Sequence, residues 1–369
     1  MKLAIIHDWL IGMRGGEKVL EEVLRLFPES EIFTLFYIPR NVSPSIRCHR
    51  VHDSWLAGIP GALKHYRHFL PLFPSAVNDW DFKGFDAVLS ISHCAAKGAT
   101  LNVPIPHICY CLTPMRYVWD NFDAYFAPGR APSHIRLAMK MVRPFLKCWD
   151  VRSTARVDRI IGISEFVAER IRSYYHREPA VIYPPVDTEF FTLPDEPGRD
   201  DFYLMVCALV PYKKIDMAIE AFNNNKNKEL KIVGMGPELQ RLQRLAVSGN
   251  IDFLGYIGEE ALRSLYQRAK ALVYCGEEDF GIAMVEAQAC GTPVVAYARG
   301  GALEIVRDGE SGILYEQSDS ACLTEALEKL ENRNFTRHSI RERVLKFGVR
   351  RFRNEFFACI HGAIEKSVT

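Results

Sequence analysis

Short apolar runs alternate with amphipathic stretches along nearly the whole chain. In the first half the runs are LAIIHDWL (3–10), EIFTLFY (31–37), DAVLSIS (86–92), PHICYCL (106–112) and VDRIIGIS (157–164). In the second half they are DFYLMVCAL (201–209), ELKIVG (229–234), IDFLGYI (251–257), ALVYCG (271–276) and TPVVAYA (292–298). Each run is short and apolar, with turn-forming or charged residues around it, and predicts a strand. Between them, residues 214–222 and 259–269 repeat apolar positions at helical spacing. The alternation predicts an α/β fold whose parallel sheets are covered by helices. It pauses at YPPVDTEFFTLPDEPGRD (183–200), rich in Pro and acids, and restarts with a fresh strand. A linker there divides two Rossmann-like domains, 1–190 and 191–345, with sheets facing across a cleft and a helical tail over 346–369.

Composition narrows the function. With 369 residues and 48% apolar content the chain can bury the cores of two domains. Lys and Arg (46) nearly cancel Asp and Glu (45), so a globally basic nucleic-acid-binding surface is excluded as an expectation and the partner must be sought in local chemistry. Ten cysteines are scattered through apolar segments with no C-x-x-C spacing, and Cys109 and Cys111 would share one face of a strand. They read as reduced core residues of a cytoplasmic protein rather than a metal or redox site. The N-terminal apolar run is short for a signal peptide, and no run reaches the roughly 18 residues of a transmembrane helix.

In such sheets ligands sit beyond the carboxyl ends of the strands, where loops turn into helix N-termini. Three loops qualify. In GMRGGEKVL (12–20), Gly15 and Gly16 let backbone N–H groups approach an anion; an ordinary strand-to-helix turn is the plain alternative. In VPYKK (210–214), Lys213 would stand at a helix start and suits a diphosphate, unless it is a solvated surface lysine. In EEDFG (277–281), Asp279 or a neighbour would cap a helix over 280–290, presenting the N–H groups of Phe280, Gly281 and Ile282. Glu278 lies beside that start and Glu286 two turns inside an otherwise apolar helix, where its charge needs partners, structural ones included. A nucleotide sugar wants this mixture: its diphosphate needs a cation and bare amides, and its hydroxyls donate to carboxylates.

Glu278-x7-Glu286, with FGI and VEAQACGTPVVA, resembles the E-x7-E signature of family-4 retaining glycosyltransferases of the GT-B fold. HDWLIGMRGGEKVLE, EIFTLFY, ICYCLTPMRYVWD, VIYPPVD, LVPYKKIDMAIEAF and YARGGALEIVRDGESGILY extend the resemblance nearly end to end, toward bacterial O-antigen and exopolysaccharide mannosyltransferases. The resemblance implies a hexosyltransferase whose donor is a nucleotide sugar, GDP-mannose by subgroup, and whose acceptor is a glycan or a polyprenyl-linked saccharide. It implies that Glu278 contacts sugar hydroxyls and Glu286 the ribose. Lys213 and the Gly15–Gly16 loop would hold the diphosphate, and the amides of Phe280 and Gly281 the sugar. Gly234 and Gly236 would let the backbone pass near the nucleotide, with the base read near Ile257. It further implies a tail, near 351–364, returning to the first domain, and no metal and no cofactor, because Lys213 and helix dipoles neutralise the diphosphate.

Two positions depart from the family. Ala208 stands where most relatives have an Arg on the diphosphate, and Leu112 where most of the subgroup has a His near the reacting sugar. Arg14, Arg116, His93 and Arg299 are candidate substitutes, with Arg116 carried as a catalytic candidate beside Glu278 and Lys213. The departures also admit another class, a catalytically impaired relative that binds a glycan or a partner enzyme. A metal-binding D-x-D is readable in DWD (79–81) but does not follow a strand. Finally, in IRLAMKMVRPFLKCW (135–149), Arg136, Lys140, Arg143 and Lys147 fall on one helical face, while Pro144 is expected to kink or divide the helix. LKHYRHFLPLF (63–73) also mixes bases with aromatics. Either the helix packs on the core with its basic side in water, or the first domain rests on an anionic inner membrane surface.

Overall fold

The computed structural model describes residues 1–120, 122–129, 132–196 and 198–368. The chain forms two compact units, Met1–Pro185 together with the residues from Phe352 onward, and Val186–Arg351. The first holds seven parallel strands: β1 (Leu3–His7), β2 (Glu31–Thr34), β3 (Val51–Asp53), β4 (Ala87–Ser92), β5 (His107–Cys111), β6 (Arg159–Gly162) and β7 (Ala180–Val181), in the order β3-β2-β1-β4-β5-β6-β7. The second holds six: β8 (Phe202–Val206), β9 (Glu229–Val233), β10 (Ile251–Gly255), β11 (Ala271–Tyr274), β12 (Val294–Tyr297) and β13 (Gly312–Tyr315), in the order β10-β9-β8-β11-β12-β13. Both orders reverse direction once, between β1 and β4 and between β8 and β11, and such switch points leave a crevice at the strand ends.

Central strands are buried on both faces, which is why they read as unbroken apolar runs. β1, β4 and β5 are buried at every residue, in register through Ile5, Leu89 and Ile108. All ten expected strands form, each shorter than its apolar run. His-Asp-Trp-Leu shows why: after His7 the chain leaves the ladder, and Leu10 makes only an isolated bridge to Tyr37. β3, β7 and β13 were not expected from the pattern. β3 and β7 are very short edge strands, and β13 has only four residues.

Two buried polar anchors fix the first unit. Asp8, fully buried, accepts the N–H groups of His93 (2.6 Å), Cys94 (2.9 Å), Ala95 (2.5 Å) and Ala96 (2.8 Å), tying the end of β1 to the loop after β4. Asp150, on helix Ser133–Ser153, pairs with the buried Lys97 and accepts from Trp119 Nε1 and Tyr175 Oη, both at 2.8 Å. Removing one member of such a buried pair costs roughly 3–5 kcal/mol, because the other charge is left stranded.

Helix Ser133–Ser153 runs undivided through Pro144. Its four bases do not form one exposed face. Arg143 donates to the carbonyls of Val118 (2.9 Å) and Trp119 (3.2 Å) and covers the Phe122 ring, while Lys147 covers the Trp119 ring. Met139 and Leu146 pack inward, and the exposed side carries Leu137, Met141 and Phe145, at 61%, 68% and 60% exposure. Cation–π contacts and backbone carbonyls draw the two inner bases toward the protein, leaving apolar residues outside.

Helix Val349–Val368 closes the first unit. Phe352 and Phe356 meet Tyr110 edge-on, Phe357 stacks on Phe27, and Arg353 pairs with Glu22 at 2.7 Å.

Candidate active site

In the second unit the switch point lies between β8 and β11, and the loops after these two strands carry the charged residues. After β8 the chain makes a tight turn at Pro211–Lys213, and Lys214 takes a left-handed conformation (φ 53°) that redirects it into helix Ile215–Asn224. Lys213 therefore precedes the helix rather than opening it. Its ammonium donates to Tyr274 Oη (2.9 Å) at the end of β11 and forms an ion pair with Glu278. Both side chains keep a little solvent access, 10% and 17%.

Glu278 is held by its own backbone. Its carbonyl accepts Gly301 N–H at 2.8 Å, and the residue makes an isolated parallel bridge with Gly300. The following helix is Ile282–Ala289, two residues later at its start than expected. Its cap is Gly281, in a left-handed conformation (φ 109°) that disfavours a side chain, and Asp279 does not cap it. Phe280 is withdrawn into the core edge-on to Phe347, so beside Glu278 the helix start presents its backbone rather than the Phe280 ring. The amides that begin the helix are left without intrahelical partners, as at any helix start.

Glu286 lies in the second turn of that helix, 5% exposed, and accepts from the buried Tyr266 Oη at 3.0 Å. Burial and the neighbouring Glu286 charge push the Tyr266 phenol well above its ordinary value, so it remains a donor. Gly234 (φ 139°) crosses so near Cys207 O that any side chain there would overlap it. The segments after β8 and β9 thus run side by side, with Leu209 N–H donating to Met235 O at 3.0 Å. Ala208 lies between these contacts and brings no charge. Ile257 is half-buried beyond the edge strand β10, next to the exposed Tyr256.

Gly15, Gly16 and Arg116 belong to the other unit. The two glycines open helix Gly15–Leu26, whose first turn also contains the buried Glu17, its carboxyl pushed up to about 7 by burial. Arg116 is half-buried in the loop after β5. Among the proposed substitutes, Arg14 precedes the helix, His93 Nδ1 lies 3.1 Å from Asp8, and Arg299 is exposed after β12. Two residues were missed in the sequence, His7 and Asp8, at the first unit's switch point. The signal was there: two adjacent polar residues interrupting an apolar run.

Asp81 of the D-x-D accepts from Asn102 Nδ2 at 2.6 Å and Lys83 N–H at 3.1 Å, and among the described residues no cluster of three His, Cys, Asp or Glu side chains is placed to hold a metal.

Comparison with known proteins agrees with this architecture. The family model described as Glycosyltransferase Family 4 matches residues 13–190, and the one described as Glycosyl transferases group 1 matches residues 187–347. An uncharacterized glycosyltransferase of Methanocaldococcus jannaschii is 29% identical, over 53% of this chain and 56% of its own. A GDP-mannose-dependent alpha-(1-6)-phosphatidylinositol monomannoside mannosyltransferase of Mycolicibacterium smegmatis is 32% identical, over 46% of this chain and 52% of its own. The chain spans about half the length of these curated relatives. The crystal structure of Anabaena HepE in complex with UDP and glucose superposes with a TM-score of 0.69 at 16% identity, covering 97% of this chain and 99% of that one. With a family-4 match followed by a group 1 match, each over its own parallel Rossmann-like sheet, the chain has the GT-B fold and is similar in both units to glycosyltransferases of the family-4 type.

Proposed function

We propose that this protein is a retaining, metal-independent hexosyltransferase that moves mannose from GDP-mannose to a glycan or lipid-linked saccharide in bacterial polysaccharide synthesis. The observation that carries the transfer reading is the Lys213–Glu278 pair at the β8/β11 switch point, beside the start of helix Ile282–Ala289. Without a donor the two charges satisfy each other. A bound diphosphate would take over the ammonium and lie near the helix amides, freeing the Glu278 carboxylate to accept sugar hydroxyls. Glu286 would take the ribose and Ile257 lie near the base.

In the reaction the bond from the anomeric carbon to the diphosphate breaks, and its electron pair stays on the phosphate oxygen. The acceptor oxygen bonds to the same face of the carbon, and its proton passes to the departing phosphate. Lys213 stabilises the charge that develops on the leaving group, so no metal is required.

The choice of GDP-mannose rests on the mannosyltransferase relative and the sequence blocks, whereas HepE was crystallised with UDP. Turnover on a panel of GDP- and UDP-sugars, read as nucleoside diphosphate release, tests the reading; release from UDP-sugars alone would overturn the donor. A binding-only protein is the second reading, favoured by Ala208 and Leu112, and it would bind donor without releasing nucleotide.

A lipid-linked acceptor would be met at a membrane surface. The exposed Leu137, Met141 and Phe145 adjoin a region without acids: residues 54–78 and 124–149 contain no Asp or Glu, and their helical segments pack together. Among the described residues no helix is long and apolar enough to cross a membrane. A cytoplasmic protein attached peripherally to an anionic leaflet fits this surface.

A further inference from the structure

The His7 ring, at the end of β1, is 1% exposed. Its Nδ1 lies 3.0 Å from the Trp9 carbonyl. A carbonyl only accepts, so Nδ1 carries the proton and Nε2 presents a bare lone pair. That Nε2 is buried and makes no hydrogen bond. Burial, reinforced by the neighbouring His93, lowers the ring to about 4, so it is neutral at physiological pH and the lone pair persists.

Nε2 is directed at the start of helix Gly15–Leu26. A Cβ placed on Gly16 would stand 3.3 Å from Nε2 and 2.9 Å from Leu112 Cδ1. The first intrahelical bond there is Lys18 N–H to Arg14 O, at 3.1 Å, and the Glu17 amide is engaged at the cap, so the amides of Gly15 and Gly16 precede the helical ladder. A lone-pair acceptor and helix-start donors thus adjoin at one glycine. A phosphate, the group that the resemblance implies for the Gly15–Gly16 loop, or a carboxylate would suit the amides but be repelled by the nitrogen beside Gly16, and an ammonium would suit the nitrogen but not the amides. A hydroxyl both donates and accepts, and suits both.

We propose that His7 Nε2 and the first amides of helix Gly15–Leu26 form a subsite for one sugar hydroxyl, which donates to the nitrogen and accepts from an amide. The sugar class rests on the transferase reading above, whereas the hydroxyl chemistry rests on the geometry alone. Entry requires the Leu112 side chain to rotate away from Gly16. A lone buried water is the competing occupant.

The test is binding, independent of turnover. Methyl glycosides of mannose, glucose and galactose, and the monodeoxy series of whichever binds, are titrated into the full chain and its His7→Phe and His7→Gln variants. The imidazole 15N resonance of His7 Nε2 is followed in the wild type. Saturation should move that resonance, and one deoxy analogue should bind the wild type roughly fivefold to tenfold more weakly, as loss of one hydrogen bond dictates. His7→Phe should bind the parent that much more weakly and be indifferent to the same deoxygenation, while His7→Gln, which can place an acceptor oxygen near the Nε2 position, should recover part of the loss. A merely structural role would leave His7→Phe sensitive to the deoxygenation. That result, an unmoved resonance, or no wild-type binding of any of the three glycosides would overturn the subsite. Failure of nucleotide release in the donor panel would overturn the transferase reading without touching this measurement.

Discussion

Lys213 and Glu278, 65 residues apart in the chain, form an ion pair across the switch point of the second sheet, and Tyr274 Oη also accepts from the lysine. On the proposed reading the pair keeps a diphosphate-binding cation and a hydroxyl-accepting carboxylate together, each partly desolvated and each placed to exchange its partner for a ligand. Glu278→Gln should therefore lower kcat by about 10² to 10³, the usual effect of removing an electrostatic group aimed at the transition state, with donor Kd changed little. Lys213→Ala should weaken donor binding as well. Steady-state kinetics with calorimetric donor titration checks both, and an unchanged kcat in Glu278→Gln would remove this carboxylate from the chemistry.

Glu286 has a structural partner, which complicates its deletion. Glu286→Ala is expected to abolish donor binding, but it also strands the buried Tyr266 hydroxyl at about 1–3 kcal/mol of stability. Tyr266→Phe separates the two effects, since it removes the hydroxyl and leaves the carboxylate. It should retain donor affinity within a few fold. If Tyr266→Phe loses the donor as completely as Glu286→Ala, the carboxylate acts through packing and not through the ribose.

Ala208 lies beside the segment after β9, and on the proposed reading it leaves the diphosphate without the Arg that the resemblance implies. Ala208→Arg should tighten nucleoside diphosphate binding. Weaker binding, measured by the same titration, would mean that the diphosphate is held elsewhere.

Much of this was legible in the sequence, for an identifiable reason. All ten apolar runs became strands; the central ones, buried on both faces, must be apolar throughout, whereas the edge strands β3 and β7 lacked such runs. The loops carrying Lys213 and Glu278 were legible as strand-to-helix turns. Their pairing was not, because nothing local links residues 65 apart. His7 and Asp8 were hidden within a run assigned wholly to a strand, and only the three-dimensional register shows Asp8 under the 93–96 loop. The basic face of helix Ser133–Ser153 was misread, because helical spacing does not show that Phe122 and Trp119 lie where Arg143 and Lys147 can cover them.

Glu331 carries an acid-sensitive contribution to the second unit. Partial burial would raise its pKa, but Lys228 (2.6 Å), Lys270 (2.9 Å) and Tyr203 (2.8 Å) all donate to it and together bring it down to about 2. A carboxyl lowered on folding adds stability above its unfolded value, about 4.5, and loses it as pH falls toward 2. Glu331→Gln should therefore unfold at a lower temperature than wild type at pH 7, with the gap narrowing between pH 4.5 and 2. Thermal unfolding across that window checks it, and a gap that widens on acidification would reverse the sign.

Membrane attachment should depend on the apolar stripe more than on the bases. Leu137, Met141 and Phe145 recur every fourth residue on the exposed side of helix Ser133–Ser153, while Arg143 and Lys147 are committed to protein contacts. Burial of a large apolar side chain contributes roughly 1.5–3 kcal/mol and is not screened by salt. Each Lys or Arg near an anionic surface contributes about 1 kcal/mol, and that part fades as the Debye length shortens. Replacing Leu137, Met141 and Phe145 together by Ser should abolish sedimentation with anionic vesicles at low and high salt. Lys140→Glu should weaken it at low salt only. Both variants should keep wild-type donor affinity, because the residues assigned to the donor, Lys213, Glu278, Glu286 and the Gly15–Gly16 loop, lie outside helix Ser133–Ser153. Reversing Arg143 or Lys147 would report on folding instead, by exposing the Val118 and Trp119 carbonyls or the Trp119 ring. If the triple Ser variant sediments like wild type, the exposed stripe does not meet the bilayer.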